Sequence, residues 1–556
     1  MSFEQELAQI ISTHAQLEQQ TIQELLEVPP ELALGDYALP CFALAKQLKK
    51  NPAQIAQELA KEIQADFLER TEAKGPYLNF YLKRAAVAKR VLTKTTISAP
   101  KNKKIVFEFP SPNTNKPLHL GHLRNMLLGE ATARTCAQAG YEVIRTNLNN
   151  DRGIHICKSM LAYKKYGDNK TPQDLELKPD HFVGHYYVKY AQEAKENPSL
   201  EEEAQEMLRA WEAGDKEVRA LWKQMNDWAH EGFAVTYNRL GISFDKEYYE
   251  HAFYEDAKKR VQEAHKKGIF STDENKNIIA PLGEKLGDKV VLRADGTAIY
   301  ATQDIGLAQL KQEDFKPDNE VYVVAEEQTH YFKQLFAIFD LLGMDHERHH
   351  LSYGMISLPS GRMKSREGNV VDCDALLDEV EAVAKEEILN RHKNLSEEEL
   401  AKRSRVIGHA ALRFFMLKYE PKTGFVYDPE ESVSFEGETG PYIQYAAARI
   451  QSILKEAPVS GEVDYSLLSS EEEYALLRTL RNTLGVVEEA ARQYKVHLVA
   501  RHALKVAQTF TSFYHACRIL DAPEDVRDAR VALIRKTREH LEKLLDLLGI
   551  ELLEEM

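Results

Sequence analysis

Residues 105–148 constrain this chain more than any other segment. IVFEFP is a short β-rich run, SPNTNKP a loop, LHLGHLRNMLLGEATARTCAQAG a long helical pattern with glycine just past its end, and YEVIRTNL a second β-rich run. A strand, a helix and a strand with short connections predict a parallel sheet. Such sheets take ligands beyond the carboxyl ends of their strands, so the loop at 110–118 stands where a site is expected. The predicted class is α/β, a Rossmann-like parallel-sheet domain with a helical insertion, flanked by an α+β domain before it and an all-α helical bundle after it.

The boundaries follow from changes in pattern. Residues 1–98 carry helical spacing, a turn at Gly35-Asp36-Tyr37, further helical runs and the aromatic alternation YLNFYL, and end in the polar stretch TKTTISAPKNKK. The α/β domain spans 99–396. Within it, about 156–265 is charged and helical, holds Trp211, Trp222 and Trp228, and reads as an insertion without chemistry. β-like runs return at DKVVLRADGTAIY, EVYVVAE and LSYGMISLPS, the last leading into the basic loop GRMKSREGN. Residues 397–556 are helical in pattern, broken by a Pro/Gly-rich stretch at 421–441 and by ILDAPED.

Composition excludes several classes. The 556 residues exceed a single domain, and 43% hydrophobic with 29% charged content supports large cores. The N-terminal MSFEQELAQIISTHAQLEQQ lacks the basic start and apolar run of a signal peptide, and no stretch of eighteen apolar residues occurs, so a cytoplasmic protein without membrane contact is expected. Cys41, Cys136, Cys157, Cys373 and Cys517 are scattered, without the spacing of structural zinc, and read as free thiols. With 72 basic and 87 acidic residues the formal charge is −15, which argues against coating nucleic acid by bulk attraction but leaves room for a local basic groove.

The sharpest chemical feature is His119-Leu120-Gly121-His122 at the start of the long helix. Residues three apart share a helix face, so both imidazoles can point together beside the positively polarised helix end, a place to hold phosphate. Glycine between them leaves room for a flat base against the backbone. The arrangement suits ATP. Two histidines decorating a helix, or a metal site lacking its other ligands, are the plainer alternatives.

An H-x-G-H turn after a first strand, with a later basic loop around methionine, resembles the class I aminoacyl-tRNA synthetases. SPNTNKPLHLGHLRN, DGTAIYATQDIG, FEGETGPYIQYAAARI and QTFTSFYHAC together resemble the arginyl-tRNA synthetases, and GDYALPCFALAK resembles that family's N-terminal additional domain. The resemblance covers nearly the whole chain. It implies an arginine–tRNA ligase that forms arginyl-adenylate from L-arginine and ATP with Mg²⁺, then esterifies the terminal 2′-hydroxyl of tRNA(Arg). It also implies activation that requires bound tRNA. A pocket with two carboxylates would discriminate strongly enough to make editing unnecessary, and no candidate editing domain is seen. A monomer is expected.

What the resemblance implies for the site is specific. It carries guanidinium recognition onto Glu108, Tyr300 and Asp304, and contacts to the backbone end of the amino acid onto Asn113 and Gln328. A planar cation with five donors needs carboxylates placed for forked hydrogen bonds, and lysine could not satisfy both. ATP contacts fall on His119, Gly121, His122, His330, Met363 and Arg366, with catalytic roles for His119, His122, Lys116, Arg362 and Lys364 and no protein-bound metal. The basic loop departs from the class pattern Lys-Met-Ser-Lys-Ser. Here Arg362-Met363-Lys364-Ser365-Arg366 lacks the second lysine, and Lys116, three residues before His119, is the expected substitute. The C-terminal bundle would read the anticodon, with Tyr442, Tyr445, Arg449, Phe513 and Tyr514, beside His515, as stacking and polar candidates. The lysines of KQLKKN would touch the tRNA corner.

Competing readings are a cysteinyl or glutamyl synthetase, a small nucleotidyltransferase with the same turn, and a catalytically inactive synthetase-like RNA-binding protein. The scattered cysteines oppose the first, acids at 108 and 304 the second, and the long helical C-terminus the third. The altered basic loop alone favours the last.

Overall fold

The computed structural model describes residues 2–15, 17–93, 98–357, 371–392, 394–457 and 463–556. The chain divides into two compact units, each assembled from segments distant in sequence. The first comprises Met1–Thr96, Ser452–Asn482 and Gln508–Glu539, the second Ile97–Gln451, Thr483–Ala507 and His540–Met556.

In the first unit, β1 (Tyr37–Pro40), β2 (Leu68–Lys74) and β3 (Tyr77–Leu82) form an antiparallel sheet in the order β1-β3-β2. The YLNFYL alternation becomes β3, and Pro52 opens the helix Pro52–Glu62 where its missing N–H costs nothing, with Asn51 capping it. Asp36 is buried. It accepts from Leu82 N at 2.9 Å, from the Tyr474 hydroxyl at 2.7 Å and from Arg481 Nη1 at 3.0 Å, so residues more than four hundred positions apart share one polar node.

In the second unit the central sheet is parallel throughout. Its strands are β4 (Lys104–Glu108), β5 (Glu142–Asn149), β6 (Lys246–Tyr249), β10 (Asn319–Ala325) and β11 (Glu347–Tyr353), in the order β11-β10-β4-β5-β6. Ile105, Val106, Phe107, Val321 and Val323 are buried, as central strands covered on both faces must be. Successive connections run one way from β4 and the other way from β10. The strand order therefore reverses between β4 and β10, and the crevice at their carboxyl ends is the switch point where such sheets bind ligands.

The smaller strands β7 (Ser271–Thr272), β8 (Ile278–Ala280) and β9 (Lys289–Leu292) make a separate antiparallel sheet, while β12 (Ile356–Ser357) pairs with β13 (Phe425–Val426). One sequence expectation needs correction: 156–265 is not wholly an insertion, because β6 lies inside it and belongs to the central sheet. KEYY is too short and too polar to announce a strand, and pairing with β5 decides it. Among the described residues no helix is long and apolar enough to cross a membrane.

Candidate active site

The loop after β4 is knitted to the end of β5. Ser111 N donates to Asn147 Oδ1 at 3.2 Å, Thr114 N to Asn150 O at 3.2 Å, and Asn150 N to Pro112 O at 3.0 Å. The helix Leu120–Gln138 follows, and it lies close over Phe109 because Gly129 carries no side chain; a Cβ there would stand 2.6 Å from the Phe109 ring. Two side chains near its start tie it to the neighbouring strand ends. Buried Arg124 donates to Gly354 O (2.9 Å), Pro421 O (2.8 Å) and Thr423 O (3.0 Å), and Asn125 donates to Val323 O (2.5 Å).

His119 is the N-cap of this helix and folds back on itself. Its Nδ1 accepts from Gly121 N at 3.1 Å, and His122 Nδ1 accepts from His119 N at 3.2 Å, with the ring centroids 3.9 Å apart. Since each Nδ1 is an acceptor, each neutral ring carries its proton on Nε2. Burial, then the nearby Lys116 cation, pushes His119 down to about 4, against a smaller opposing pull from Asp372. Burial, then His119 and Lys116, holds His122 well below its ordinary value. Both rings are thus neutral N–H donors at pH 7. Lys116 has no hydrogen-bond or ion-pair partner among the described residues, and its own burial lowers its pKa.

Two sequence expectations change here. The first amides of the helix do not form a free anion cradle: Leu120 N donates to Val371 O, and Gly121 N and His122 N face the His119 ring. Any phosphate contact then falls to side chains. Gly121 also has a reason besides room for a base, since a Cβ there would lie 3.0 Å from His119 Cε1. The expected loop residues Arg362, Met363, Lys364, Ser365 and Arg366 lie outside the described residues. Just after them, Leu120 N to Val371 O (2.9 Å) and Cys373 N to Leu118 O (3.0 Å) join 371–373 to the histidine turn.

A second cluster is built from the end of β4, the helix Tyr300–Phe315 and the helix Thr329–Leu341. Glu108 Oε2 accepts from Lys311 Nζ at 3.0 Å, and Asp304 Oδ2 accepts from the Tyr331 hydroxyl. Burial foremost pushes the Asp304 carboxyl up to about 7; the Tyr331 hydrogen bond and Lys311 oppose this, while Glu108 adds to it. Glu108 and Asp304 are therefore near enough to feel each other's charge. Glu250, which accepts from Gln303, is likewise raised by burial to about 7, and Asp304 contributes.

The remaining expected residues are exposed. Tyr300 is 75% exposed at the first position of its helix, Asn113 lies on the loop after β4, and Gln328 and His330 stand in the short turn Glu326–Gln328 and the helix Thr329–Leu341 that follow β10. Sequence reasoning missed Lys311, Tyr331 and Glu250. Lys311 lies two turns beyond Asp304, a spacing that could have signalled it; nothing local marks the other two. A further group, Asp180, His181 and Asp374, has metal-like donor geometry, but Lys178 already contacts both acids, at 3.2 and 2.6 Å.

Of the anticodon candidates, Phe513 is corrected: it is fully buried against Phe510 and has no face for a base. Tyr514 and His515 are exposed, Tyr445 is exposed with Arg449 over its ring at 4.6 Å, and Tyr442 is half-buried.

Comparison with known proteins decides the family. Residues 84–428 match the family described as tRNA synthetases class I (R), catalytic domain, 443–556 the DALR anticodon binding domain, and 1–82 the arginyl tRNA synthetase N terminal domain. The chain belongs to the arginyl-tRNA synthetase family. It is 40% identical to the arginine–tRNA ligase of Treponema pallidum, covering 96% of this chain and 95% of that one, and 41% identical to that of Treponema denticola, covering 96% and 94%. The arginyl-tRNA synthetase of Thermus thermophilus superposes with a TM-score of 0.88 at 27% identity, each chain fully covered. Arginyl-tRNA synthetases are class I ligases whose substrates are ATP, arginine and tRNA.

Proposed function

We propose that this chain joins L-arginine to tRNA(Arg) in the crevice between β4 and β10, as a cytoplasmic monomer. An oxygen of the arginine carboxylate attacks the α-phosphorus of ATP, the bond to pyrophosphate breaks, and arginyl-adenylate forms. The terminal 2′-hydroxyl of tRNA then attacks the carbonyl carbon and AMP leaves. The attacking carboxylate is ionised at pH 7, so the first step needs alignment and charge stabilisation rather than a base. His119 and His122 donate Nε2–H to phosphate oxygens, and Lys116 supplies the cation that the irregular loop lacks; Arg362, Lys364, Met363 and Arg366 act from the other side. His330 and Gly121 border the nucleotide. Glu108, Asp304 and Tyr300 take the guanidinium, and Asn113 and Gln328 the backbone end.

The observation that carries this reading is that Glu108, which acts on Asp304, ends the strand whose following loop leads to the neutral histidine pair, at a topological switch point. Mg²⁺ travels with ATP: the described carboxylate felt at His119 is Asp372, which already pairs with His181 at 3.1 Å, so phosphates and water suit the ion better than a protein cage. Residues 1–98 would contact the tRNA corner, 99–396 catalyse, and 397–556 read the anticodon through Tyr442, Tyr445, Arg449 and Tyr514. Aminoacylation with arginine and total tRNA tests the function. Arginylation by the wild type that falls sharply at low arginine in Glu108→Gln and Asp304→Asn is expected; no arginylation by the wild type refutes it.

A further inference from the structure

The two acids of the pocket share a geometry: each has one oxygen held and one open. Glu108 Oε2 is held by Lys311 and Asp304 Oδ2 by the Tyr331 hydroxyl, while Glu108 Oε1 and Asp304 Oδ1 have no partner among the described residues. Of the two donors Tyr331 is half-buried and Lys311 wholly interior: Lys311 has no solvent exposure, lies 4.1 Å from the centre of the Tyr322 ring, and reaches the fully buried acid Glu320 at 3.6 Å.

Burying a lysine is costly unless its charge is met, and a solvent-facing lysine would serve stability as well. Its placement makes sense as a fixture for Glu108, whose rotatable bonds would otherwise leave its fork undirected. Tyr331 does the same for Asp304 without adding charge. A guanidinium, with donors spread over a plane, can bridge two acceptors set in this way.

We propose that Lys311 and Tyr331 are positioning residues of the arginine pocket, occupying Glu108 Oε2 and Asp304 Oδ2 so that one open oxygen of each acid faces the guanidinium. The inference rests on the reading that Glu108 and Asp304 bind that group. Other titratable groups act on the same acids: Glu250 and Tyr300 on the Asp304–Tyr331 side, and Tyr248, Tyr322 and His346 on the Glu108–Glu320 side.

Tyr331→Phe keeps the ring and removes only the hydroxyl. Lys311→Met strips Glu108 and the buried Glu320 of their cation, so Lys311→Met/Glu320→Gln, which preserves net charge, is measured beside it. With tRNA present, the KM for arginine should rise about tenfold to a hundredfold in Tyr331→Phe and in the double variant, as for loss of a hydrogen bond to a charged group. The kcat at saturating arginine and the KM for ATP should stay within about twofold. Raising the pH to 9 should restore only part of the loss in Tyr331→Phe, because alkali ionises Asp304 without the hydroxyl but does not aim its free oxygen; full recovery would reduce the hydroxyl's role to charge alone and overturn the positioning role of Tyr331. Folded Tyr331→Phe with wild-type arginine KM from pH 6 to 9 overturns the proposal. Glu108→Gln and Asp304→Asn separate the two levels: unchanged arginine KM in these sinks the pocket reading itself, whereas a raised KM in these alone sinks only the positioning roles.

Discussion

Arginine binding should release a proton from Asp304. In the free pocket its carboxyl stands at about 7, raised chiefly by burial. A guanidinium binds the carboxylate and not the acid, so the complex pulls the proton off, and affinity rises with pH until the acid is ionised in the free protein. The apparent dissociation constant is multiplied by 1 + 10^(pKa − pH), about elevenfold at pH 6, about twofold at pH 7 and about 1.1-fold at pH 8. Titration calorimetry in buffers of different ionisation enthalpy should find about 0.9 proton released per arginine at pH 6 and about 0.1 at pH 8. Asp304→Asn should bind weakly and release none at either pH. Proton release that is absent or independent of pH in the wild type, or that persists in Asp304→Asn, would refute the argument. The sign for folding is opposite: an acid raised in the fold adds stability below its unfolded pKa near 4, and that stability is lost as pH rises through about 7.

Other outcomes follow from the histidine turn and its supports. Lys116→Ala should cut adenylate formation about a hundredfold or more, measured by pyrophosphate exchange with tRNA present, with melting unchanged, since the lysine has no internal partner; unchanged exchange contradicts its phosphate role. Gly121→Ala brings a methyl to 3.0 Å from His119 Cε1, and the ring's displacement should lower kcat about tenfold while the helix loses nothing; wild-type kcat would show that the ring has slack. Arg124→Met leaves Gly354 O, Pro421 O and Thr423 O without their donor and should cost about 3 kcal/mol in urea unfolding; a loss under about 1 kcal/mol would mean that water replaces the guanidinium.

The sequence alone determined what local rules can determine. The strand–helix–strand order of 105–148 depends on residue period and on glycine at the helix end, and it emerges as β4, the helix Leu120–Gln138 and β5. His119 and His122 were legible because three-residue spacing fixes a shared face. Tertiary structure decided what depends on distant partners. Lys311 reaches Glu108 across 203 residues, and Tyr331 reaches Asp304 across 27. It also made Phe513 core, turned KEYY into a sheet edge, and engaged the helix amides that a motif would leave to phosphate. The physical reason is common to all of these: a side chain's rotamer, charge state and exposure are set by what packs against it, and that neighbour is chosen by the fold rather than by the adjacent residues.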